Sequence, residues 1–182
     1  QMKRLKVRQM ALNRILVSLT ALAAFAMPAA AQISSEGGPI YINSERTESL
    51  ERERKVLLIG NVDIQQGDAR LRADTVTMIF AEKPAGTTQS TSVGGGFGQV
   101  KTMIAEGNVF YITADMKAKG DRGVYDAASD IITMTGNVAL LRERDVAEGA
   151  VLRVEIGNRR TTLDGGDGRT RMVIDPDNQS GN

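Results

Sequence analysis

From residue 39 onward, apolar and polar residues alternate in short runs that stop at Gly, Asn or Asp, the period-two pattern of strands with one face turned inward. Such runs cover 39–43, 55–59, 62–66, 69–73 and 75–80, then 100–105, 109–113, 121–126, 130–135, 138–142, 150–156, 160–163 and 171–175. No window beyond residue 38 sustains a helical stripe. The strongest helical rival, 45–55, scatters its Glu and Arg on every side and lies between strand signals, so a strand is expected there as well. The pattern predicts a single all-β domain of about fourteen strands, built either as a jelly-roll or as a stack of hairpins.

A degenerate repeat runs through this series. Gly60-Asn61-Val62, Gly107-Asn108-Val109 and Gly136-Asn137-Val138 each follow one apolar run and open another. Gly-Asn readily supplies the positive φ of a tight hairpin turn, so each pair is expected to reverse the chain. Arg72-Ala73-Asp74 and Lys119-Gly120-Asp121 recur beside them, each ahead of an apolar run. Spacings of 47 and 29 residues between the Gly-Asn pairs are too uneven for a regular solenoid. Residues 81–98 break the rhythm with Pro84, Gly86 and a Thr/Ser/Gly run, and are read as a flexible insertion; 176–182 are read as a disordered tail.

The first thirty residues differ in kind. Lys3, Arg4, Lys6, Arg8 and Arg14 precede an apolar stretch from Ile15 to Ala26, followed by Pro28 and an Ala-rich site ending at Ala31. A basic region, an apolar helix too short to span a bilayer and a small-residue cleavage site form an export signal, with the cut expected between Ala31 and Gln32. Residues 32–38 then form a short leader to a domain spanning 39–175. The alternative is an uncleaved segment that anchors the chain in the membrane.

Export changes the charge balance. The 182 residues hold 23 basic and 22 acidic groups, but without residues 1–31 the chain keeps 18 basic against the same 22 acidic, a net charge of −4. A mildly acidic exported domain is a poor partner for nucleic acid, whose binding needs positive charge. With no Cys and no His, thiolate nucleophiles, imidazole bases and zinc sites built on either are excluded. The run Gly94–Thr102 lacks the Gly before Lys-Thr that a phosphate loop needs, and Asp164-Gly165-Gly166-Asp167-Gly168 offers one copy of a calcium-roll turn where an array is required. Glu51, Glu53, Glu143 and Asp145 are the only acids that suggest a carboxylate-based exported hydrolase, and nothing in the sequence converges on them. No cofactor or metal is implied.

What remains is an inward-facing set of aliphatic residues: Ile40, Ile42, Val56, Leu58, Val62, Ile64, Leu71, Val76, Phe110, Ile112, Tyr125, Ile132, Met134, Val138, Leu140, Leu152, Val154 and Ile156. These residues serve either as an ordinary packed core or as the lining of a ligand site. Aromatic residues make up only 4% of the chain, so a ligand held among them would be an acyl chain rather than a stacked sugar.

The order of several motifs carries a family resemblance. Pro39-Ile40-Tyr41-Ile42-Asn43, Gly60-Asn61-Val62-Asp63-Ile64, Leu71-Arg72-Ala73-Asp74, Lys119-Gly120-Asp121, Val124-Tyr125 and Met134-Thr135-Gly136-Asn137-Val138 follow one another as in the LptA/OstA-like family of periplasmic lipopolysaccharide-transport bridge proteins, over most of 39–174. The resemblance implies an elongated, twisted antiparallel β-jelly-roll with open ends and an apolar interior. It implies lipid A chains held inside, head-to-tail self-association by strand addition, and partners of the LptC kind at the inner membrane and the LptD kind at the outer. Lipid contacts are implied at Ile40, Ile42, Phe110 and Tyr125. End-to-end contacts are expected at Pro39, Ile40, Tyr41, Ile42 and Asn43 and at Arg171, Met172, Val173 and Ile174. A membrane-anchored sibling sharing the fold is the alternative within the pathway.

Overall fold

The computed structural model describes residues 33–34, 38–82 and 98–174. The export signal, most of the 81–98 insertion and the 176–182 tail lie outside the described residues. The described chain forms β1 (Ile40–Asn43), β2 (Arg46–Leu50), a single 3-10 turn at Glu51–Glu53, β3 (Lys55–Gln66), β4 (Ala69–Phe80), β5 (Val100–Ile112), β6 (Lys117–Asp126), β7 (Ile131–Arg142), β8 (Asp145–Glu155), β9 (Arg160–Asp164) and β10 (Arg171–Val173). The all-β expectation holds, and the 45–55 stretch is a strand followed by that one turn.

All the described strands belong to one antiparallel sheet, in which β3 to β8 pair in simple succession. At each edge two short strands share one long partner. Strand β1 pairs with Asp63–Gln66 and β2 with Lys55–Ile59 of β3, while β10 pairs with Val146–Glu148 and β9 with Val151–Glu155 of β8. The sheet is open: among the described residues, no pairing joins its first strands to its last.

The strands are fewer and longer than the sequence pattern suggested, and the Gly-Asn pairs are the reason. They are bulges within single strands, not hairpin turns. Gly60-Asn61 lies between the paired positions Ile59↔Thr75 and Val62↔Ala73, so that two residues oppose the single Asp74. In the same way Gly107-Asn108 opposes Asp121, and Gly136-Asn137 opposes Ala150. Every residue of the three pairs has positive φ, from 45° to 80°. An extra residue bends its strand and breaks the ladder locally. Three bulges aligned across the sheet therefore crease it along one line.

Acidic side chains brace the crease. The Asn108 amide donates to Asp74 (2.9 Å), the Asn137 amide to Asp121 (2.7 Å), and the Asn61 amide to Glu45. The glycines give these acids their room: a Cβ at Gly60, Gly107 or Gly136 would come within 3.0 Å of the Glu45, Asp74 or Asp121 side chain respectively. The recurring Arg72-Ala73-Asp74 and Lys119-Gly120-Asp121 motifs are thus the counterparts of the Gly-Asn pairs on neighbouring strands.

The creased sheet closes over one face as a two-layered jelly-roll. One layer holds β2, β9 and the halves of β3–β8 nearest them; the other holds β1, β10 and the remaining halves. Val62, Ile64, Val76, Val109, Met134, Val138 and Leu152 lie between the layers with at most 2% of their surface exposed. The reversals fall elsewhere than at Gly-Asn: Gly67-Asp68 joins β3 to β4, Glu143-Arg144 joins β7 to β8, and 156–159 join β8 to β9.

Candidate functional site

Paired residues of an antiparallel sheet project to the same face, so the register converts the inward positions into continuous rows. In one layer Val56, Met78, Met103, Tyr125, Ile132 and Val154 stand side by side across six strands. A second row there runs Leu58, Val76, Ala105, Gly123, Met134, Leu152 and Leu163. The opposite layer carries Ile42, Ile64, Leu71, Tyr111, Ala118, Leu140, Ala147 and Met172. At the usual strand spacing this last row is roughly 34 Å long. It begins and ends on edge strands, where Ile42 and Met172 are 41% and 63% exposed. The apolar interior therefore runs through the molecule and emerges at both edges of the sheet.

Most of the expected inward residues lie on these rows or beside them. Val56, Leu58, Val62, Ile64, Leu71, Val76, Tyr125, Ile132, Met134, Val138, Leu152, Val154 and Ile156 are buried, and Ile40 and Leu140 are half-buried against the same cluster. Two expectations are corrected. Phe110 pairs with Arg72 and Lys119, and Ile112 with Arg70 and Lys117, so both lie on the outer face. The strand phase that puts Val109 and Tyr111 inside requires it. Met78, Met103, Val109 and Tyr111 are buried but were absent from the expected set; Tyr111 sits two positions after Val109 just as Ile64 follows Val62. The edge residues Pro39, Tyr41, Asn43, Arg171, Met172, Val173 and Ile174 are all exposed.

Among the described residues the interior is well packed. The residual space among Leu71, Met103, Tyr111, Tyr125 and Met134 is about 10 Å³, barely room for one water molecule. A larger hollow of about 140 Å³ lies at the mouth between the layers, lined in part by Asp68, Thr113, Asp115, Met116, Arg142 and Arg159. Two residues of the leader share in the filling. Ile33 and Ser34 are buried to 1% exposure, and Ile33 belongs to the core cluster. Their backbone is held by side chains: Gln66 Oε1 accepts from the amides of Ile33 (2.7 Å) and Ser34 (3.4 Å), and the Tyr111 hydroxyl donates to the Ile33 carbonyl (2.8 Å). Ser34 Oγ donates to Asp68 (2.8 Å), and the Gln66 amide donates to the Gly38 carbonyl. Burial, with the charges of Asp68 and Asp130 adding to it, pushes the Tyr111 phenol far above its usual range, so it stays a proton donor.

Chemically, such a site can shelter hydrocarbon and little else. Among the described residues no group of acids is placed to hold a metal ion. Among the described residues, only the Asp63 and Asp126 carboxyls are clearly held below their usual range. Asp63 is paired with Arg70 on the outer face, and Asp126 accepts hydrogen bonds from Ser129. Glu51 and Glu53 lie in the exposed 3-10 turn, and Glu143 in an exposed hairpin turn.

A folded-over, open antiparallel sheet with an apolar interior is a β-jelly-roll of the LptA kind, and comparison with known proteins agrees. Residues 41–160 match the model of the LptA/(LptD N-terminal domain) LPS transport protein family, and the chain belongs to that family. It is 30% identical to the lipopolysaccharide export system protein LptA of Escherichia coli K12 over 140 residues, 74% of this chain and 68% of that protein. An uncharacterised protein of Rhizobium meliloti is 28% identical over 170 residues, covering 91% of this chain and 88% of the relative. The LPS-assembly protein LptD of Yersinia enterocolitica is 27% identical over 129 residues, which make up 15% of that longer protein. In fold, the chain resembles LptH, the periplasmic LptA homologue of Pseudomonas aeruginosa, with a TM-score of 0.63 at 18% identity over 80% of this chain and all of that one. The protein is thus an LptA-like member of a lipopolysaccharide-transport family, and not an enzyme.

Proposed function

We propose that the protein is a periplasmic carrier that shelters the lipid A chains of lipopolysaccharide between its two layers and passes them from the inner towards the outer membrane. The observation that carries this reading is the apolar row from Ile42 to Met172, which reaches both open edges of the sheet. Transferring one methylene out of water is worth ~0.8 kcal/mol, so a ten-carbon stretch left exposed would cost roughly 8 kcal/mol. Several such chains per lipid make unaided crossing of an aqueous gap negligible. A continuous greasy path removes that barrier if the lipid can slide along it.

Continuity beyond one molecule would come from strand addition at the unpaired edges. Residues Pro39–Asn43 at one end and 171–174 at the other would meet either a second copy or partners of the LptC and LptD kind. Export through a signal cut between Ala31 and Gln32 completes the reading. Under it Ile40, Ile42, Leu58, Ile64, Tyr125, Met134 and Leu152 contact acyl chains, and Tyr111 takes the place first expected of Phe110.

A photo-crosslinking amino acid at Ile42 tests this in living cells. Capture of lipopolysaccharide at Ile42, and none at outward-facing Glu148, is the expected result. Equal capture at both positions, or none at Ile42, would refute the carrier.

A further inference from the structure

Ile33 and Ser34 sit buried in the interior, and the protein holds them there with a built cradle. Ile33 stands among Leu71, Met103, Tyr111 and Met134, and only about 10 Å³ is left beside it. Gln66, 2% exposed, is one of only two buried polar residues among those described, the other being Ser34 itself. Its amide oxygen is spent on the Ile33 and Ser34 backbone, and Tyr111 and Asp68 take up the Ile33 carbonyl and the Ser34 hydroxyl. A buried amide is costly unless its hydrogen bonds are satisfied, and here the leader supplies three partners, the Ile33 and Ser34 amides and the Gly38 carbonyl. A core meant only to be packed would carry an aliphatic residue at position 66, in line with Ile64 and Val62. Gln66 is therefore matched to a peptide strand in the groove.

From this we infer that the Ile33–Ser34 segment is a displaceable plug: it fills the acyl-binding interior when the protein is empty and leaves when lipid enters. The inference rests on the carrier reading above. The plug answers a physical need of such a carrier, since an apolar channel left open to water would either collapse or expose its lining. An isoleucine on a short tether shields the lining at moderate cost. It also weakens lipid binding by the fraction of time the groove is occupied, which keeps the cargo able to move on.

The test turns on the sign of an effect. If Ile33 were a wall of the lipid site, replacing it would weaken lipid binding; as a plug, replacing it strengthens binding. The variant Ile33→Asn alters only the leader and adds no charge. Binding of a fluorophore-tagged dodecanoyl amide, and of purified lipopolysaccharide, is measured with protein isolated from the periplasm. We expect Ile33→Asn to bind both roughly three- to tenfold more tightly than the parent. Hydrogen exchange read by mass spectrometry supplies the second measurement: the Ile33 and Ser34 amides are slow in the empty protein and fast once lipopolysaccharide saturates it. If lipopolysaccharide binds but those amides stay slow, or if Ile33→Asn binds equally or less tightly, the plug is refuted and the carrier stands. If neither ligand binds parent or variant, the carrier reading falls and the plug with it.

Discussion

Single residues on the outer face act through water, and their contributions are correspondingly conditional. Arg70 reaches across from β4 to Asp63 on β3, a directly paired strand neighbourhood, and its guanidinium is what chiefly holds the Asp63 carboxyl below the ordinary range. A carboxylate with a lowered native pKa stabilises the fold fully above its unfolded value near 3.9, and that contribution is lost as pH falls through the native one. The prediction follows with a definite sign. Acid titration followed by circular dichroism should show the parent losing stability below about pH 4 more steeply than Arg70→Ala, because the variant has less of this term to lose. Identical acid limbs would show that the pair is too well solvated to matter. Tyr111 works differently, since burial pushes its phenol well above the ordinary range and its hydroxyl donates to the leader.

At the level of elements, the bulged strand is the unit from which the fold is made. An unbroken strand of twelve residues, such as β3 or β7, would lie roughly flat and leave one apolar face bare. Gly-Asn at its middle inserts a residue with the torsions that bend it, and an acid from the neighbouring strand fixes the Asn. Glycine at these positions meets two demands together, a positive φ and the space taken by Asp121 or Asp74. Gly136→Ala should therefore destabilise the protein by about 1–3 kcal/mol in urea denaturation. Shortening the acid in Gly136→Ala/Asp121→Ala should recover the part due to the Asp121 carboxylate. The parts due to φ and to the position 121 Cβ, 2.8 Å away, should persist. A cost near zero for Gly136→Ala would mean that the crease is not strained in the way described.

Across the whole molecule, position along an apolar row decides whether a charge is tolerated. Ile42 and Ile64 are paired neighbours on the same row, one 41% exposed at the edge and the other wholly buried. An unpaired carboxylate in the interior has neither water nor a counter-ion, whereas one at the rim keeps much of its hydration. Ile64→Asp should fail to accumulate as folded protein, a loss of about 4 kcal/mol or more. Ile42→Asp should keep a melting temperature close to that of the parent. Under the carrier reading it should nevertheless fail to support growth in a strain that depends on it, since its carboxylate would stand where acyl chains enter. Normal growth on folded Ile42→Asp would remove Ile42 from the lipid path.

The pattern along the chain was enough to establish a β domain with its aliphatic residues inward. Alternation is a property of neighbouring residues, and it placed Val56, Leu58, Ile64, Leu71, Met134 and Leu152 on the correct face without reference to any partner. The order of the family motifs was likewise readable locally. Three things were not. Gly-Asn has positive φ both in a hairpin turn and in a bulge, and only the strand opposite, placing Asp74, Asp121 or Ala150 against two residues, selects the bulge. Phe110 and Tyr111 are adjacent and both aromatic, so the choice of inward residue fell to the register with Leu71 and Ala118. Burial of Ile33 depends on Gln66 and Tyr111, which lie 33 and 78 residues away along the chain. Local geometry is written in neighbouring residues, while the identity of what fills a cavity depends on distant segments that meet only when the sheet has folded over.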